Sequence, residues 1–148
     1  MNLDELRPIL QGYREQVAPA WSPATAYNGE GKQGDPTGQC GVTSAWLQRR
    51  LAEDHGIETT YCVGIVAIAR DNKAVDHCWL EIGEGTETLI LDLTAMQIPS
   101  LRLRVVCAEC EALSQAGFDY IITRRLTPDQ LLADPVQERL AVLEAAMS

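Results

Sequence analysis

The chain has 148 residues, with 12 Lys and Arg against 21 Asp and Glu, and a formal net charge of −9. At this length, and with 46% hydrophobic residues, one domain around one buried core is the expectation. The acidic balance excludes a general nucleic-acid binder, because no Lys/Arg stripe is present to displace counterions from phosphates, and it disfavours docking on anionic membranes.

The start, Met1-Asn2-Leu3-Asp4-Glu5, lacks the cationic and apolar stretches of a signal peptide. The longest nearly apolar run, Tyr61 to Ala69, is about half of what a membrane-spanning helix needs. Five cysteines are an odd number, so at least one has no partner within the chain. Together these features predict a cytoplasmic protein with reduced thiols.

Leu3, Leu6, Ile9, Leu10, Tyr13 and Val17 recur at helical spacing and predict an N-terminal helix, a reading that Pro8 complicates. Residues 18–39 carry Pro19, Pro23, Asn28-Gly29, Gly31, Gly34-Asp35-Pro36 and Gly38, and read as a long irregular segment. A second helix starts near residues 37–39 and runs to about Asp54, with Gly56 as its stop. Strands follow over roughly 58–69, 76–82, 88–94, 102–106 and 118–124, rich in Val, Ile, Leu, Tyr and Thr. Thr127-Pro128-Asp129-Gln130 and Asp134-Pro135-Val136-Gln137 each read as a cap, a first-turn Pro and a Gln closing a capping box. Val136, Leu140, Leu143 and Met147 then form an apolar stripe on a last helix. Helices, an antiparallel sheet and helices again make an α+β domain.

Cys40 lies in Gly38-Gln39-Cys40-Gly41-Val42-Thr43-Ser44, at the predicted start of a helix. Free N–H groups and the positive dipole end there favour a thiolate, and the same N–H groups can bind an oxyanion. On the predicted strand Asp76-His77-Cys78-Trp79-Leu80-Glu81-Ile82, His77, Trp79 and Glu81 share one face, and Cys78, Leu80 and Ile82 the other. Ile90, Asp92 and Thr94 share a face of the return strand. A tight turn on Glu84-Gly85 places His77 opposite Asp92 and Trp79 opposite Ile90; a bulge shifts that register by one. Cys40, His77 and Asp92 thus supply a thiol, a base and an orienting carboxylate in chain order. The second histidine, His55, falls at a predicted helix end and reads as a surface residue.

A Cys opening a helix after a Gly/Gln-containing loop, then His-x-Trp-x-Glu, then Leu-Asp-Leu-Thr, resembles the transglutaminase-like branch of the papain-like cysteine enzymes. The Cys-Gly-x-Thr-Ser stretch is also similar to bacterial papain-like peptidases, and the resemblance spans roughly residues 33–97. It implies a papain/transglutaminase-like fold with the nucleophile at a helix N-terminus packed on the sheet. It also implies Cys40 as nucleophile, His77 as base and acid, and Asp92 as the carboxylate orienting it. The implied reaction is acyl transfer from a protein, peptide or small amide through a thioester, ending in hydrolysis, deamidation or transamidation, with no cofactor. Such enzymes place a Gln a few residues before the cysteine to bind the oxyanion, a role open to Gln33 or Gln39, and Trp79 matches their aromatic residue after the histidine. No acidic loop with calcium-ligand spacing is present.

Two other readings compete. The same fold can serve as a non-catalytic binding domain. Cys107-Ala108-Glu109-Cys110 can also be half of a zinc site or a redox pair, although no second pair at ligand spacing accompanies it and it falls too late in the chain for a thioredoxin-like motif. Cys62 and Cys78 read as core residues.

Overall fold

The computed structural model describes residues 2–148 and shows an α+β fold. Helix α1 spans Leu3–Val17 and is capped by Asn2, whose side chain accepts the Glu5 N–H. Pro8 lies inside it. The carbonyl deprived of a donor belongs to Asp4, which is exposed, so water replaces the lost bond and the helix continues. Leu6, Leu10, Tyr13 and Val17 form its buried stripe.

Helix α2, Cys40–His55, ends where Gly56 takes the left-handed conformation (φ +64°) and returns its N–H to Ala52. Between α1 and α2 the irregular segment is stapled to the start of α2. Trp21 donates its indole N–H to Thr43 Oγ1 at 2.9 Å, Thr25 donates to Gln39 Oε1 at 2.7 Å, and Gln39 donates to the Ser22 carbonyl at 2.9 Å.

Five strands follow: β1 Thr60–Ile68, β2 Lys73–Ile82, β3 Leu89–Asp92, β4 Val106–Glu109 and β5 Phe118–Leu126. They form one antiparallel sheet in the order β4-β3-β2-β1-β5. One face, carrying Tyr61, Leu80, Leu91, Cys107 and Leu126, packs under α1, α2 and the C-terminal helix. The other, carrying Cys62, Val66, Trp79, Ile90, Val106 and Tyr120, is covered by Ala95, Ile98 and Leu113. Leu113 belongs to α3, Cys110–Gln115.

Two C-terminal helices complete the chain, α4 Pro128–Leu132 and α5 Val136–Met147. Thr127 and Gln130 form both bonds of a capping box. At α5 only half of the expected box is made: Asp134 accepts the Val136 N–H, while the Gln137 amide turns away to the Leu131 carbonyl. Among the described residues no helix is long and apolar enough to cross a membrane.

Two sequence expectations need correction. The fourth strand is Val106–Glu109 rather than 102–106, because Arg102 has a positive φ (+57°), which breaks the extended backbone, and Leu103 turns to solvent (47% exposed). The β2–β3 hairpin does not turn tightly on Glu84-Gly85. A short 3-10 turn at Gly85–Glu87 lengthens the connection, and the register pairs Leu80 with Leu91, Glu81 with Ile90 and Ile82 with Leu89. Relative to the expectation the strand slides by an even number of residues, so every side chain keeps its predicted face.

At Val63/Gly64 the pairing of β1 with β5 shifts register, and a Cβ on Gly64 would stand 2.0 Å from the Ile121 carbonyl oxygen and 2.9 Å from the Trp79 ring. Backbone cannot yield as a flexible side chain does. Gly64→Ala is therefore expected to destabilise the protein by about 3 kcal/mol, read as a lower urea midpoint. A change within ~0.5 kcal/mol would show that the sheet relaxes freely at this point.

Candidate functional site

A cavity of about 600 Å³ opens where α2 begins against the sheet, with Cys40, Tyr61, Gly64, His77 and Cys78 in its wall. Cys40 is the first residue of α2, and the stapled loop before it and the hydrogen bond from the Tyr61 hydroxyl to the Gly41 carbonyl (3.0 Å) hold that first turn in place. The turn leaves backbone N–H groups without helical partners, facing the same region as the thiol.

His77 and Asp92 meet from β2 and the end of β3, both fully buried, with Nε2 to Oδ2 at 2.6 Å. The observed register makes them diagonal neighbours rather than directly opposed, yet the shared face is enough for the contact. Asp92 is satisfied on both oxygens. Oδ2 also accepts the Tyr120 hydroxyl at 2.9 Å, and Oδ1 accepts the Thr94 N–H at 2.9 Å and its hydroxyl at 3.2 Å. Behind the imidazole, Trp79 lies nearly parallel at 6.3 Å and Tyr120 edge-on at 6.3 Å. With Nε2 engaged, Nδ1 is the ring atom left for Cys40; it is buried and has no hydrogen-bond partner.

These surroundings fix the charges. Burial works against the His77 imidazolium, but the Asp92 charge and hydrogen bond, joined by Cys40, outweigh it and raise the group to about 10. Burial likewise works against the Asp92 carboxylate, and His77, Thr94 and Tyr120 overcome it and hold it below its usual range. Burial and the Asp92 charge push the Tyr120 hydroxyl upward, so it stays a donor.

The Cys40 thiol is a member of a pair. The neighbouring Cys78 thiol, with burial, raises it well above its usual range against the pull of His77. Cys78 moves the other way, because the neighbouring Cys40 and then Tyr61 favour its charged form and outweigh its burial. The two thiols titrate as a unit in which one thiolate is favoured and the second opposed.

The other sequence candidates fall elsewhere. Gln39 is fully buried and its amide is held by Thr25 and Ser22; Gln33 bonds to the Pro19 carbonyl. Neither side chain is in the cavity wall, so the oxyanion role expected of them finds no support in their positions. Trp79 is core, donating to Glu81 at 3.3 Å, and backs His77 instead of lining the cavity. Cys78, read from sequence as core, is partly exposed and in the wall. Cys107 and Cys110 pack into the clusters on opposite faces of the sheet, so they do not form one half-site. Among the described residues no group of three or more His, Cys, Asp and Glu is arranged to hold a metal ion.

Three wall or support residues carried no signal in the sequence: Tyr61, Tyr120 and Arg139. The Arg139 guanidinium lies 5.6 Å over the Tyr27 ring at the cavity mouth. Their strands and helix were legible, but their convergence on one site is long-range. Comparison with known protein families, curated proteins and solved structures finds no match to the chain.

The paired shifts set a pH window. His77 is raised from 6.5 to about 10, so its contribution to stability is complete below pH 6.5 and is lost as pH rises through 10. Asp92 is lowered from 3.8, so its contribution is present above pH 3.8 and is lost as pH falls further. Asp92→Asn strands a buried imidazole, and is expected to cost about 3 kcal/mol near neutral pH, with the deficit shrinking above pH 10. Urea denaturation across pH checks this; a deficit that does not change with pH would mean that the pair contributes packing and not charge.

Proposed function

We propose that the protein is a cysteine-dependent amide hydrolase or acyl transferase (a peptidase, deamidase or transglutaminase-like enzyme) with a papain/transglutaminase-like architecture. One observation carries the reading: Cys40, the first residue of α2, and His77, held by the buried Asp92, line one cavity able to admit an amide. A purely binding role gives that pair less purpose, since apolar residues of equal volume are often at least as stable as a buried ion pair.

In the proposed reaction the Cys40 sulfur attacks a carboxamide or peptide carbonyl. His77 holds the proton that Cys40 gives up, charged and oriented by Asp92. The tetrahedral oxygen takes hydrogen bonds from the Cys40 N–H in the first turn of α2. His77 then passes its proton to the leaving amine, and a thioester remains on Cys40. Water or a second amine, deprotonated by His77, attacks the thioester and releases the acid or a new amide. This reading puts the one thiolate of the pair on Cys40, beside the His77 imidazolium and the N–H groups at the start of α2, and leaves the other proton on Cys78. The Cys78 thiol and burial oppose that placement. The substrate is a protein, peptide or small amide, and the net charge of −9 favours basic or neutral ones by steering.

Alkylation tests the nucleophile directly. With limiting iodoacetamide, Cys40 is expected to label ahead of the other four cysteines and to keep reacting at mildly acidic pH, and to slow roughly ten-fold or more in His77→Ala. Labelling of Cys40 no faster than Cys107 or Cys110, or labelling of Cys78 first, would overturn the assignment.

A further inference from the structure

Cys78 has no covalent part in that chemistry, yet of the other four cysteines it is the one that shares the cavity wall with Cys40. It follows His77 on β2, so its side chain leaves the opposite face of the strand, the face on which α2 packs. This brings it to the first turn of α2, where Cys40, Gly41, Tyr61 and Cys78 line one stretch of cavity wall and the two thiols are close enough to shift one another's titration. Both residues are partly exposed and both line the 600 Å³ cavity. The remaining three are placed differently: Cys62 and Cys107 are buried, and Cys110 packs beside the cluster on the far face.

We propose that Cys40 and Cys78 are a paired modification site that closes to a disulfide when a hydroperoxide enters the cavity, with Cys40 oxidised first and Cys78 resolving it. The inference rests on the reading of Cys40 as the reactive thiol. The Cys40 thiolate attacks the terminal oxygen of the hydroperoxide and the O–O bond breaks. The departing alkoxide takes the His77 proton and leaves as an alcohol, with Cys40 as a sulfenic acid. The Cys78 sulfur then attacks the Cys40 sulfur, the S–O bond breaks, and hydroxide leaves with the remaining thiol proton as water. In sum, two thiols lose two electrons and two protons to one hydroperoxide, giving a disulfide, an alcohol and water. The disulfide silences the nucleophile and shields it from irreversible oxidation to the sulfinic acid. A dithiol reductant restores it.

The test uses the full chain, hydrogen peroxide at about one equivalent, and peptide mapping by mass spectrometry after blocking free thiols. The expected result is a Cys40–Cys78 cross-linked peptide, with about nine-tenths of Cys40 labelling recovered by dithiothreitol. In Cys78→Ala, Cys40 is expected to pass to the sulfinic acid, and dithiothreitol to recover less than about half of its labelling. A wild-type map with sulfinic Cys40 and no cross-link, a cross-link at another pair, or equal recovery in Cys78→Ala would each overturn the proposal. The wild-type map needs no variant, so a misfolded Cys78→Ala does not blunt the test. Fast labelling of Cys40 before oxidation with no cross-link after it rejects this inference alone; slow labelling before oxidation rejects the proposed function instead.

Discussion

The site depends on one buried ion pair, and much of the sheet is arranged to make that pair tolerable. Removing two charges from water costs several kcal/mol each unless every lone pair and proton finds a partner. Asp92 meets that condition. His77 and Tyr120 occupy one of its oxygens and Thr94 occupies the other twice. Thr94 does so from the residue where β3 gives way to a short turn, and Tyr120 does so from β5, across two intervening strands. Trp79 closes the back of the imidazole and packs edge-on against Tyr120 at 5.0 Å. Each of these contacts removes a rotation or a water that would let the imidazole go slack.

The second constraint is the placement of α2. Its first turn would be free to fray, but Gln39 and Thr43 anchor the loop that enters it, and Tyr61 ties the Gly41 carbonyl to β1. A glycine follows the cysteine, and Gly64 lies opposite His77 on β1, where a tight β1–β5 approach leaves no room for a Cβ. The two faces of the sheet therefore contribute differently. The helical face delivers Cys40 and Cys78; the far face delivers His77, Asp92 and their supports. The proposed chemistry arises at the junction, where helix, thiol pair and ion pair converge on one cavity.

The parts legible in the sequence are those written by local chemistry. Gly56 announced the end of α2, and Thr127 with Gln130 announced α4, because a left-handed stop and a reciprocal cap involve only neighbouring residues. The shared face of His77 and Asp92 was also legible, since period-two alternation survives an even slip in register even though the turn itself was misread. What could not be read is what depends on distant packing. Helix α3 is too short to show periodicity, and β4 was displaced because Leu103 turns outward and the backbone at Arg102 leaves the extended region. Gln33, Gln39 and Trp79 were chosen by residue type, and each proved to have a partner that sequence spacing cannot reveal. Cys78 looked like one more buried strand residue until the helix above it was placed.

The central claim is that this framework holds a charged imidazole beside Cys40 through the neutral range. Titration of the His77 ring by nitrogen-15 NMR on the full-length chain tests it most directly. The account predicts a midpoint at about 10, and a lower one in Cys40→Ser, because Cys40 supports the charge. A midpoint at or below 6.5, or one that ignores the loss of Cys40, would contradict it.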